Sequence, residues 1–123
     1  MRAISGPQTG ARRPAIRIHM LGDWAIPYTL MEGYGALVQE QGTGDLYRQS
    51  LVQGTGHCEF TAAESTAIVE TLVERIETGA WPETSPEALN AAAEALETGS
   101  APRFIEHGDW RVAAYNRPWV PAE

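Results

Sequence analysis

Apolar and polar positions alternate with a period near two over residues 15–21, putting Ile16, Ile18 and Met20 on one face and Arg17 and His19 on the other. The run is β-branched and bounded by Pro14 and Gly22, so it predicts a strand that is partly open on one side. The period then lengthens. Over residues 28–41, Leu30, Met31, Tyr34, Leu37 and Val38 recur at helical spacing, behind a proline, Pro27, that can stand at a helix start. Gly33 and Gly35 each cost about 1 kcal/mol relative to alanine, so this helix depends on its neighbours. The Gly-rich cluster at 41–45 ends it, and a second strand is predicted over 46–53, with Leu46, Arg48, Ser50 and Val52 on one face and Tyr47, Gln49 and Leu51 on the other.

A better marked helix follows. Thr61-Ala62-Ala63-Glu64 fits a capping box, and Gly79 is a natural C-terminal stop. Between them Ile68, Val69, Leu72, Val73 and Ile76 form a stripe expected to be buried, at about 1.5 to 3 kcal/mol per large side chain. Ser85-Pro86-Glu87 opens an alanine-rich helix running to about Glu97 and stopped by Gly99; its thin stripe of Leu89, Ala92, Ala93 and Leu96 predicts a surface position. Residues 1–14 have no apolar period and read as a flexible N-terminal arm. Residues 100–123 carry Phe104, Ile105, Trp110, Val112, Tyr115 and Trp119, too aromatic for a free tail, and are expected to pack on the domain formed by 15–99.

The order strand, helix, strand, helix predicts an α/β fold of two parallel strands with crossover helices, an extra C-terminal helix and a tail. Two parallel strands are too few for a stable sheet, so the domain reads as partial. A turn flanked by Gly54 and Gly56 lifts His57 between the second strand and the capped helix, and the glycines are expected to free the backbone there. Asp23 follows the first strand in the same way. Both residues fall at carboxyl ends of adjacent parallel strands, where ligands and catalytic groups gather in open α/β sheets. A carboxylate against one imidazole nitrogen would orient the ring and leave the other nitrogen to act as base. The plainer alternatives are that Asp23 caps its own turn and that His57 is a polar loop residue.

Composition narrows the function classes. At 123 residues the chain holds one domain at most; its net charge is −7, and all nine basic residues are arginine. An acidic chain without lysine is a poor partner for nucleic acid or an anionic membrane. No apolar run approaches the roughly 20 residues of a membrane span, and the N-terminus lacks a signal-peptide core, which predicts a soluble, non-exported chain. His19, His57, Cys58 and His107 are too scattered for a metal site, and neither Gly42-x-Gly44 nor Gly54-x-Gly56 is a phosphate loop, so no cofactor or metal is expected. The four tryptophans fit packing better than a stacking platform. Cys58, alone in the chain, is ordinarily a small buried hydrophobe; beside His57 it could instead have a partner on a segment this chain lacks.

Gly22-Asp23-x-x-Ile26-Pro27 resembles the acid loop of α/β-hydrolases, and Gly56-His57-Cys58-x-Phe60-Thr61-x-x-Glu64 is similar to the histidine loop of a bacterial group of serine α/β-hydrolases. The likeness covers residues 14–82 and implies the C-terminal part of that fold, with Asp23 as triad acid, His57 as general base, and Trp24 and Ile26 of the acid loop against substrate. It implies hydrolysis of a small-molecule carboxylic ester by a Ser-Asp-His mechanism in the complete protein. The G-x-S-x-G elbow of the family is absent here: Ser5, Ser50, Ser65, Ser85 and Ser100 all lie in other contexts, so the isolated chain is expected to be inactive. Feruloyl-esterase and tannase-like members join a cysteine after the histidine to one beside the serine. By that resemblance Cys58 is half of a disulfide, and full-length relatives suit an oxidising, secreted setting. The rival expectation is a non-catalytic interaction domain that self-associates through its exposed sheet edge.

Overall fold

The structure, a computed structural model, describes residues 11–106. β1 (Ala15–Met20) and β2 (Tyr47–Val52) pair in parallel, from Ala15 opposite Tyr47 to Met20 opposite Val52. The crossover between them is α1 (Tyr28–Glu40) followed by a 3-10 turn at Gly44–Leu46. After β2 come α2 (Ala62–Thr78), α3 (Pro86–Glu94) and a short β3 (Phe104–Ile105), which pairs antiparallel with β2 to give the order β1-β2-β3. The α/β class and the parallel pair agree with the alternation. The sheet is nevertheless mixed and three-stranded; its third strand has two residues, too few to show a period in sequence. Trp110, Val112, Tyr115 and Trp119 of the expected tail lie outside the described residues, as does most of the expected arm; Ala11 donates its N–H to Thr43 Oγ1 at 2.9 Å.

Register assigns the two faces. Val52 and Phe104, with Ile16 and Ile18 packed alongside, meet Ala63, Ala67 and Ile68 of α2 and Leu89 and Ala93 of α3 in one apolar cluster. α1 covers the opposite face, where Tyr34 meets Tyr47 edge-on at 5.2 Å and the Gln49 amide donates to Glu32 at 3.3 Å. A Cβ on Gly35 would come within 2.7 Å of Gln49 Oε1, so the Gln49 amide would have to shift to admit a larger residue there.

The inward faces of the helices differ from the expected stripes. On α2 the buried residues are Ala63, Glu64, Ala67, Ile68 and Thr71, while Val69, Val73 and Ile76 are 59%, 45% and 62% exposed. Of the expected stripe Ile68 is buried and Leu72 half-buried, and the inward face continues through Ala63, Glu64, Ala67 and Thr71 rather than through Val69, Val73 and Ile76. On α1, Met31 and Val38 are buried but Leu30 and Tyr34 are exposed. α3 is part of the core through Leu89 and Ala93 rather than a surface helix, and it stops at Glu94, short of the expected Glu97. Its end is set where the chain turns back to β3, with Glu97 and Gly99 at positive φ. Trp81, in the connection between α2 and α3, donates its indole N–H to the Asp45 carbonyl at 2.6 Å and carries the Arg48 and Arg75 guanidinium groups over its ring. Among the described residues no helix is long and apolar enough to cross a membrane.

Candidate active site

The loops that leave β1 and β2 are held together by continued backbone pairing beyond the strands. Leu21 N–H donates to Val52 O at 2.9 Å and Gly22 N–H to Gly54 O at 2.7 Å. A Cβ on Gly22 would stand 2.6 Å from that same Gly54 oxygen, so only glycine allows the acid and histidine loops to abut here.

Just beyond this contact Asp23 divides its two oxygens. Oδ1 accepts the N–H groups of Ala25 at 2.8 Å and Ile26 at 2.9 Å; Oδ2 lies 2.8 Å from His57 Nδ1. The turn-capping and imidazole-binding readings of Asp23 therefore hold together, one per oxygen. The Asp23 side chain is 3% exposed and that of His57 43%, so a covered carboxylate meets a ring that reaches solvent. Burial pushes the Asp23 carboxyl up, but the Ile26 amide, the His57 imidazole and the Ala25 amide together override it and hold the pKa at about 2. An ionised carboxylate at Nδ1 needs a proton there, which leaves the lone pair of the neutral ring on Nε2.

A pH dependence follows from this. The folded-state pKa of Asp23 is depressed, so its contribution is fully present above the ordinary value of 3.8 and is lost as pH falls through about 2. The stability difference between the wild-type chain and Asp23→Asn is expected to shrink across that acid window, as the carboxylate takes up a proton. Denaturant unfolding of both proteins at stepped pH measures it.

The histidine loop departs from expectation in detail. Neither Gly54 nor Gly56 takes a φ in the left-handed region; that conformation falls on Cys58, with φ 56°. A Cβ on Gly54 would meet the Met20 methyl group, the end of a side chain that would have to shift to admit it. Cys58 is exposed rather than buried, and its Sγ is 3.8 Å from His57 Nε2. Trp24 is 80% exposed, with its ring centroid 6.2 Å from that of His57. Ile26 is partly exposed and enters the site through its backbone amide.

The sequence did not reveal the support behind this loop. Glu64, fully buried, closes the capping box with Thr61 and also binds Arg103: Oε1 accepts Arg103 Nε at 2.9 Å and its backbone N–H at 3.1 Å, and Oε2 accepts Nη2 at 2.9 Å. Arg103 Nη2 reaches on to the Glu59 carbonyl at 3.0 Å, and its own carbonyl accepts Gln53 N–H at 2.9 Å. One arginine thus grips both ends of the histidine loop. Burial works against the Glu64 charge, yet the Arg103 and Thr61 hydrogen bonds hold its pKa below the ordinary range. The signal available in sequence was Glu64 alone, read as a cap.

Two of the serines weighed above have other tasks: Ser50 donates to the Arg17 carbonyl and Ser85 caps α3. Among the described residues no group of three or more His, Cys, Asp or Glu is placed to hold a metal ion.

No protein-family model matches the chain, and no solved structure matches it. The chain is similar to a protein of Xanthobacter agilis named o-phthalyl amidase, at 51% identity over 108 residues. The match takes in 88% of this chain, which spans about a quarter (24%) of that relative's length.

Proposed function

We propose that this chain supplies the acid and the base of a larger acyl hydrolase, with Asp23 orienting His57 and His57 Nε2 taking the proton of a serine carried on another segment. The supporting observation is the 2.8 Å contact of Asp23 Oδ2 with His57 Nδ1, at the carboxyl ends of two paired parallel strands. The name of the relative shifts the expected bond from an ester to an amide of an aromatic carboxylic acid. Trp24 beside the imidazole is suited to an aromatic acyl group, with Ile26 at the same rim. The same relative favours the catalytic reading over the non-catalytic interaction domain. The proposed sequence is acylation of serine with His57 protonating the leaving amine, then water attack with His57 again as base.

A chimera tests it. The matched segment of the Xanthobacter amidase is replaced by this chain and hydrolysis of a phthalyl amide is followed. Activity within about tenfold of the parent is expected, equivalent to under about 1.4 kcal/mol in the barrier. A folded chimera without turnover counts against the reading. The chain by itself is expected to show none, and turnover by the chain alone that depends on His57 would reveal a nucleophile within it.

A further inference from the structure

His19 is buried, at 5% exposure, and it sits on the face of β1 that shares α1 with Leu51, its register partner. A polar ring in such a place costs stability unless it is hydrogen-bonded, and an aliphatic residue would pack there without that cost. The ring does have a partner: Nε2 is 2.8 Å from the carbonyl oxygen of Ile26. A carbonyl only accepts, so Nε2 carries the proton and donates.

Ile26 is also the residue whose N–H donates to Asp23 Oδ1. A line of hydrogen bonds therefore runs from His19 through the backbone of Ile26 to Asp23 Oδ1, and from Asp23 Oδ2 to His57 Nδ1. The acid loop is otherwise exposed, with Trp24, Ala25, Ile26 and Pro27 all open to solvent. The Gly22–Gly54 and Asp23–Met20 backbone bonds tie down the start of this loop, and His19 ties its Ile26 end to the interior. We infer that His19 is a positioning residue, which fixes the carbonyl of the Ile26–Pro27 peptide and, across the Ile26 Cα, the adjoining amide N–H that sets the direction in which Asp23 presents Oδ2 to His57. Its consequence for turnover rests on the acid and base roles proposed above; its consequence for geometry does not.

The test compares His19→Gln, which keeps an N–H near the place of Nε2, with His19→Met, which has similar bulk and no donor. The readout is the low-field proton NMR resonance of His57 Nδ1–H in this chain, and its rate of exchange with water. His19→Gln is expected to keep both as in the wild type. His19→Met is expected to exchange about tenfold faster, the factor that loss of one ordinary hydrogen bond allows. Unchanged exchange in a folded His19→Met protein overturns the proposal. If the Met variant does not fold, His19→Leu, which also lacks a donor, replaces it: faster exchange supports the role, and wild-type exchange in the folded protein overturns it. This readout is independent of activity, so an inactive chimera refutes the hydrolase reading while leaving the anchor intact.

Discussion

Asp23→Asn in the amidase chimera is expected to lower kcat by about 10⁴-fold while KM stays within a few-fold of its starting value. The Asn carbonyl can still accept the Ala25 and Ile26 amides now held by Oδ1, so the loop keeps its shape. The other atom becomes an NH₂ group, a donor facing His57 Nδ1, where the structure has an acceptor at 2.8 Å. Two donors cannot share that position, so the neutral ring moves its proton to Nε2. The nitrogen that should take the serine proton is then blocked. His57→Ala is expected to cost at least as much, and the double variant little more than the worse single one, because residues that act as a unit do not contribute additively. Steady-state kinetics give the size of the effect, and nitrogen chemical shifts of His57 report which ring atom holds the proton. An unchanged kcat in a variant with the tautomer reversed would remove Asp23 and His57 from the mechanism.

How much of this was legible in sequence depends on the range of the signals. The strand limits, the capped start of α2 and the placement of Asp23 and His57 at neighbouring strand ends are local features, written in runs of ten residues or fewer. What failed was non-local. On α2 the expected stripe holds at Ile68 but not at Val69, Val73 and Ile76, because a count of large apolar residues passes over Ala63, Glu64 and Ala67, which face inward. β3 exists because Phe104 and Ile105 meet the end of β2, not through any pattern of their own. His19 was read as a solvent-side residue because alternation assigns a face but not what covers it; α1 and the acid loop bury it. The expected conformational role of Gly54 and Gly56 missed for a similar reason. Each instead leaves room for the end of a flexible side chain, Met20 at Gly54 and Glu59 at Gly56, and the unusual φ fell on Cys58.

Arg103 is the clearest non-local feature, and removing it is expected to have the largest effect on stability. Arg103→Met leaves the fully buried Glu64 carboxylate without its counter-charge and takes away the hydrogen bond to the Glu59 carbonyl. Breaking a buried pair from one side costs about 3 to 5 kcal/mol; because the Arg103 side chain is about a third exposed, the lower end, about 3 kcal/mol, is expected. Glu64→Gln keeps an acceptor for the Thr61 cap but turns an NH₂ toward the Arg103 Nε–H and backbone N–H that Oε1 now accepts, so it should cost about 1 to 3 kcal/mol. The double variant should be more stable than the sum of the two losses predicts, by about 1 kcal/mol or more, since the stranded charge is gone. The pH dependence has a definite sign. Glu64 is held below its ordinary value of 4.5 in the folded chain, so its contribution is present above that value and fades as pH falls below it. The gap between wild type and Arg103→Met should therefore narrow in acid, where the stranded carboxyl can take up a proton. Urea unfolding at pH 7 and at pH 4 measures these differences, and amide exchange over residues 53–60 shows whether the histidine loop loosens before the rest of the fold. A loss under about 0.5 kcal/mol, within the range of ordinary surface substitutions, would mean that Arg103 does not hold the loop. The position of His57 would then have to come from the Gly22–Gly54 and Gln53–Arg103 backbone contacts and from Asp23 itself.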